Sequence, residues 1–270
     1  MEDQVLGVTK LINALLGKPA LALLAALHIH SDNPQYPIPN HIAMELVVFL
    51  VAIVFFTWLK GRLSVENPGG TQQCMEMLLT NPMGVGVRDL LEDTAGHSAL
   101  KYLAMVGSIG LFVLLSNLLS LVPGLFSPTA EKTVPLGCAI VVFLYYNWAG
   151  VLHHGPAGYG KTFLGPVLAM SPIMAVVEVF SHLARMLSLT VRLWVNMLVS
   201  ELLYATFLGL TVSLFLFVGK LNGLGYLLAP IPLLAPCLFI LLHIFVAFVQ
   251  AFVFTLLPII YVGGAVAEEH

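Results

Sequence analysis

From Thr162 to about Val218 the chain is apolar with no loop-like gap, and from 228 to 264 it is so again. Drawn as one helix, the first stretch is roughly 85 Å long at 1.5 Å per residue. A hydrocarbon core is about 30 Å thick. Pro166 and Pro172 lie near its start, where a helix tolerates proline. Two solutions are open: two spans with a tight break, or one long, strongly tilted helix. KLNGLG (220–225) reads as a turn, so the two stretches form an antiparallel hairpin. Composition agrees with a membrane setting. Apolar residues make up 59% and charged residues 9%, and mean hydropathy is +0.96. A soluble domain carries about a quarter of its residues as charges, so the expected class is an all-α polytopic membrane protein.

The remaining runs supply further spans. AMELVVFLVAIVFFTWL (43–59) ends in Lys60 and Arg62, with Glu45 at headgroup depth near its other end. ALKYLAMVGSIGLFVLLSNLLSLVPG (99–124) follows, then the breaker-rich turn FSPTAEKTVP, then LGCAIVVFLYYNWAGVL (136–152). Counting each long stretch once gives about five spans. CMEMLLTNPMGVGVRDLLED is only moderately apolar and reads as lying along the membrane surface. In the N-terminal run, Pro19 reads as an interruption. That run is taken as an interfacial segment rather than a cleaved signal or an extra span. The organisation is thus an extracytoplasmic or interfacial segment (1–40) and a membrane domain (41–270). Lys60, Arg62, Arg88, Lys101 and Lys161 fall on one side, against Lys132 and Lys220 in short loops of the other. The positive-inside rule makes the richer side cytoplasmic, with the N-terminus outside and the C-terminus inside.

Several chemistries are set aside. A net charge of −3 leaves no basic excess for nucleic acid. Cys74, Cys138 and Cys237 are scattered and odd in number, so they read as small apolar residues. His28, His30 and His41 read as solvated loop histidines rather than metal ligands. No cofactor is expected. GPAGYGKT (155–162) satisfies the phosphate-loop pattern. That motif needs a parallel α/β domain around it, and membrane-length runs flank it instead. It reads as a glycine-rich cytoplasmic turn, with no nucleotide bound.

The polar residues inside the apolar runs are ordered. Ser181, Arg185, Ser188, Arg192 and Asn196 follow spacings of 4, 3, 4 and 4, which makes one helical stripe, and Glu178 joins it. Glu201 lies about 180° from Arg192 around the helix. In the last helix His243 and Gln250 share a face. In an antiparallel hairpin, residues at equal depth have numbers with a nearly constant sum. Arg192 with Gln250, and Glu201 with His243, meet that condition. Blander roles exist: Ser181 and Ser188 bonding their own helix carbonyls, Asn196 and Gln250 joining helices, Arg185 snorkelling to headgroups, His182 being incidental. For Arg192 the bland role is weak, because a buried charge costs several kcal/mol and marks an ion or proton path. Glu178 lies toward the cytoplasmic end, Glu201 and His243 toward the outside. A fixed cation between them divides the polar line into two half-routes, so a proton must leave on a mobile carrier.

These residues carry a resemblance. SLTVRLWVNMLVSELL (188–203) resembles the S-L-x-x-R-L-x-x-N-M-x-x-x-E-L signature of subunit a of F-type ATP synthases. Glu178, Ser181 and Ser188 stand at the family's spacing from the arginine. HIFVAFVQAFVFTLLPIIYV resembles the family's last helix, and LLSNLLSLVPG and SPTA its earlier helix–turn. Val195 and Ser200 depart from the small residues common there, and Glu131 only approximates an aspartate.

The resemblance implies a stator subunit with two offset half-channels that load and unload a ring of c subunits, coupling proton flow to rotation and ATP synthesis. It makes Arg192 the essential stator charge and sets Glu201, His243, Gln250, Asn196, Glu178, Ser181 and Ser188 along the proton path. It implies no catalysis by this chain alone. Its partners would be the c-ring, the subunit b peripheral stalk, membrane lipid and, indirectly, the F1 sector, in a bacterial inner membrane. A secondary transporter is the rival, but no second copy of the stripe marks an inverted repeat. A purely structural scaffold has no need of a buried arginine.

Overall fold

The computed structural model describes residues 6–26, 28, 33, 35–64, 68–79, 92, 99–122, 125–162, 171–218 and 230–266. Every regular element among them is helical. In chain order they are α1 (Gly7–Ala26), α2 (Asn40–Lys60), α3 (Gly70–Leu79), α4 (Ala99–Leu119), a 3₁₀ turn (Pro128–Ala130), α5 (Thr133–Thr162), α6 (Ser171–Val218) and α7 (Pro230–Val266). Six of them, all but α3 and the 3₁₀ turn, are long and apolar enough to cross a membrane.

α2 and α4 have 21 residues each, about 31 Å, which matches one hydrocarbon thickness. α2 ends at Lys60, and the Arg62 guanidinium lies 4.5 Å from the Trp58 ring centroid, an interfacial anchor of aromatic and cation. The two long runs resolve as single helices. α6 has 48 residues and α7 has 37, about 70 and 55 Å. They pack antiparallel. The rings of Phe207 and Phe239 stack at 3.9 Å, Asn196 bonds Gln250, and Arg185 lies 5.5 Å from the Tyr261 ring. The expected KLNGLG turn lies outside the described residues.

The core joins α4, α5, α6 and α7, with Val113, Tyr146, Leu189, Leu193, Phe254 and Val262 at its centre. The 3₁₀ turn touches α6, α2, α4 and α5, which makes it a plug at one end of the bundle. α6 buries Leu189, Leu193 and Met197, one residue per turn. Its other face leaves Val191, Val195, Val199 and Leu202 exposed.

Three expectations change. The helix α1 runs through Pro19 without a break and is a sixth apolar helix beside the five expected spans. It is fixed to the start of α2. Asn13 Nδ2 donates to the carbonyls of Thr9 and Ile38, its Oδ1 accepts from the Ile38 N–H, and the Leu6 N–H donates to Asn40 Oδ1. One buried amide thus ties the two segments together. Second, GPAGYGKT is not an open turn. The helix kinks at Gly155, with φ 73° and ψ 163°, and resumes through Thr162. Glycine adopts positive φ at no steric cost, and Pro156 then occupies a first-turn position that needs no N–H partner. The resumed helix lays the Tyr159 ring on Gly150, and Tyr159 donates to Asn147 Oδ1 at 3.0 Å. Third, α3 covers only the first residues of the segment read as surface-lying. Most of that segment lies outside the described residues.

α4 and α7 meet where Gly110 faces Thr255. A Cβ at 110 would run into Thr255 Oγ1 and Cβ, and that hydroxyl is held by the Ala251 carbonyl at 2.8 Å. Small residues allow such close helix approach in membranes. Gly110→Val should therefore destabilise the bundle by about 1–3 kcal/mol through overpacking, read as a lower unfolding midpoint in detergent.

Candidate functional site

Toward the middle of α6, the Arg192 side chain is exposed, although Leu189 and Leu193 near it around the helix are buried. It has no hydrogen-bond or ion-pair partner among the described residues. Ser188 and Asn196, one turn to either side, are exposed on the same face. Two hydrogen-bonded clusters adjoin α6, one before and one after Arg192 along the helix.

The first cluster surrounds His243, which is 5% exposed. Ser120 Oγ donates to the Asn117 carbonyl at 3.0 Å. A hydroxyl has one proton, so at His243 Nε2, 2.9 Å away, it acts as acceptor. Nε2 also lies 3.3 Å from the Asn117 carbonyl oxygen. The imidazole therefore carries its proton on Nε2, and Nδ1 accepts from Ser200 Oγ at 2.6 Å. From the same Asn117 a second branch runs to Glu201. Thr129 Oγ1 donates to Asn117 Oδ1 at 2.6 Å, Ser127 Oγ donates to Thr129 Oγ1 at 2.6 Å, and the Ser127 N–H donates to Glu201 Oε1 at 2.8 Å. A carboxylate on α6 and an imidazole on α7 are thus joined through α4 and the 3₁₀ turn.

The second cluster lies toward the start of α6. Glu178 Oε1 is 3.2 Å from His182 Nε2 and 4.0 Å from the Arg185 guanidinium. Tyr146 of α5 meets His182 Nδ1 at 2.8 Å. Tyr261 of α7 closes the group, 5.7 Å from the Tyr146 ring and beneath Arg185. Glu178 and Glu201 are about 35 Å apart along the helix at 1.5 Å per residue, with Arg192 between them.

The hairpin register comes out close to that read from the numbering, but shifted by about a turn. Gln250 Oε1 accepts from Asn196 Nδ2 at 2.9 Å and not from Arg192. His243 pairs with Ser200, while Glu201 turns to the 3₁₀ turn. Asn196, one turn beyond Arg192 on the same stripe, is the residue that reaches Gln250 on α7. Arg185 lies over the Tyr261 ring and 4.0 Å from Glu178, and His182 is 8% exposed with a partner at each ring nitrogen. Ser181 and Ser188 make no back-bond to their own helix among the described residues, unlike Thr190, which donates to the Met186 carbonyl. Periodicity missed Tyr146, Asn117, Ser120, Ser127, Thr129 and Ser200. The signal for some lay in LLSNLLS and SPTA, where hydroxyls and an amide crowd the end of an apolar run.

Residues 42–263 match the family described as ATP synthase A chain. The chain belongs to that family. Its curated relatives include ATP synthase subunit a of Koribacter versatilis, 36% identical over 97% of each chain. The one from Solibacter usitatus is 40% identical over 87% of this chain and 90% of its own. ATP synthase subunit a 3 of Pelobacter propionicus is 38% identical over 92% of this chain and 94% of its own. The chain is thus a multi-pass membrane protein of ATP synthesis and proton transport. Every polar residue singled out from the sequence stripe falls within the matched residues.

The Asn117 branch point is buried, and its Nδ2 has no partner within the described residues. Thr129→Val removes the one hydroxyl that bonds Asn117 Oδ1 and strands Ser127 Oγ as well. An orphaned buried polar group costs about 1–3 kcal/mol, so thermal unfolding in detergent should occur several degrees earlier. Thr129→Ser should stay near wild type.

Proposed function

We propose that this chain is the stator subunit of the F0 sector, with two offset half-channels that load and unload protons on the carboxylates of a c-ring. Arg192 carries the proposal: it is a cation near the middle of an apolar helix, exposed and unpartnered among the described residues. Left against lipid, such a charge costs several kcal/mol. An anion presented by a neighbouring subunit removes that cost, and a ring of intramembrane carboxylates presents one anion after another.

The two clusters supply the half-routes. On the outer side, His243 and Glu201 share the hydrogen-bonded path through Ser120, Asn117, Thr129 and Ser127, and a proton accepted there neutralises a ring carboxylate. The neutral acid then faces lipid at acceptable cost and travels around with the ring. Glu178, with Ser181 and Ser188 between it and the arginine, receives the proton on the cytoplasmic side. Arg192 attracts the deprotonated carboxylate and favours its charged form. It also repels any proton moving straight across. The Asn196–Gln250 bond beside it fixes the two helices at that depth. The driving term is about 2.3 kcal/mol per charge per 100 mV. In this reading the long tilted hairpin offers an extended face to a curved ring. The N-terminus is outside and the C-terminus cytoplasmic, in a bacterial inner membrane, with the subunit b stalk and the F1 sector completing the assembly.

The test is ATP-driven acidification of inverted membrane vesicles bearing the whole complex. Arg192→Ala should abolish pumping while the assembled complex keeps its level. Glu201→Gln should cut it at least about a hundredfold, the lower end of the range for losing a proton-transfer group. Wild-type pumping by Arg192→Ala would overturn the proposal.

A further inference from the structure

The outer cluster contains an imidazole and a carboxylate, and so does the cluster toward the start of α6. His182 has no part in the mechanism so far, yet its placement is constrained on all sides. It is 8% exposed. Its ring lies against the Tyr146 ring with centroids 5.5 Å apart. Nδ1 is 2.8 Å from the Tyr146 hydroxyl, and Nε2 is 3.2 Å from Glu178 Oε1.

Hydrogen-bond inventory fixes the roles. An ionised carboxylate only accepts, so Nε2 bears the proton and donates to Glu178. Nδ1 of a neutral ring then accepts, and the Tyr146 hydroxyl donates to it. The tyrosine sets the tautomer, and the tautomer aims a donor at the carboxylate. Tyr146 sits on α5 in the central core beside Val142 and Ala149, which anchors the arrangement to a rigid part of the bundle. Arg185 reaches the same Glu178 oxygen more weakly, at 4.0 Å, and rests over Tyr261.

We propose that His182 is a positioning residue of the cytoplasmic half-route: held in one tautomer by Tyr146, it orients Glu178 to exchange protons with the cytoplasmic side. The inference rests on the half-channel reading above. The ionisable groups facing this imidazole are Tyr146 and Tyr159 from α5, Glu178 and Arg185 from α6, and Tyr261 from α7. Proton exchange passes between Glu178 and water on the cytoplasmic side. The imidazole keeps its own proton, so no net charge is left on it.

Three variants of the whole complex test this in inverted vesicles, whose outer medium faces the cytoplasmic route. His182→Leu keeps the volume but removes both bonds. His182→Gln offers an amide N–H to Glu178 and a carbonyl to Tyr146. Tyr146→Phe removes only the hydroxyl. Pumping should fall about tenfold in His182→Leu, less than the loss of the proton-transfer group itself would cause, and should be largely restored in His182→Gln. In His182→Leu and Tyr146→Phe, the midpoint of the dependence on external pH should move by about half a unit or more. The dependence on internal pH should stay as in wild type, a sidedness that loss of packing alone would not give. Wild-type rate and external-pH profile in His182→Leu overturn the inference. If neither His182 variant assembles, Tyr146→Phe decides: an unmoved external-pH profile overturns it and a moved one supports it. Arg192→Ala, run beside them, separates the two failures. If it stops pumping while His182→Leu pumps normally, only the present inference falls.

Discussion

Inside a hydrocarbon layer no water is at hand to satisfy a polar side chain. α6 carries a carboxylate at each end and two guanidiniums between. That constraint accounts for most of what surrounds the helix. Glu201 is met by the Ser127 N–H, which explains why the 3₁₀ turn is plugged into the bundle at that depth. Glu178 is met by His182 and Arg185, and His182 in turn by Tyr146 of α5. Asn196 is met by Gln250. Only Arg192 among these is exposed at mid-helix and lacks a partner among the described residues. The proposed pairing with an anion of a neighbouring subunit rests on that difference.

The two clusters differ in construction as well as in position. The His243 cluster is spread over four elements, and its links are hydroxyls, the Asn117 amide and carbonyl, and the Ser127 N–H. The other is compact, with its acid and imidazole one turn apart on α6 and aromatic rings around them. In both, a second residue fixes the histidine tautomer: Ser120 and Ser200 at His243, Tyr146 at His182. A histidine is useful for proton traffic only when the nitrogen facing the path is defined.

Close packing supports both clusters. Gly110 brings α7 against α4 through Thr255, and Gly150 admits the Tyr159 ring. The kink at Gly155 exists because one glycine takes a φ of 73°. It turns the end of α5 back so that Tyr159 caps the aromatic group beside Glu178. Without those contacts the helices would still form, since their backbones are satisfied internally, but the side chains would not meet.

Five of the six long apolar helices, the antiparallel hairpin and the anomaly of Arg192 were legible in the sequence. Each depends on what repeats along a single helix. Apolar run length reports whether a segment can span, and the 3.6-residue period reports which side chains share a face. Even the register between α6 and α7 was nearly readable, because antiparallel helices of equal rise keep a constant sum of residue numbers. The sequence did not decide which polar side chain takes which partner. Arg192 matched Gln250 in depth, but Asn196, one turn on along the same stripe, makes the bond. His182, Tyr146, Ser120 and Ser200 were out of reach for the same reason: their meaning arises between helices far apart in the chain. Whether α1 would run through Pro19, and whether GPAGYGKT would form a turn or a kinked helix, also waited on the tertiary structure. There Asn13 finds the Ile38 backbone and Tyr159 finds Gly150, contacts that local propensity does not contain.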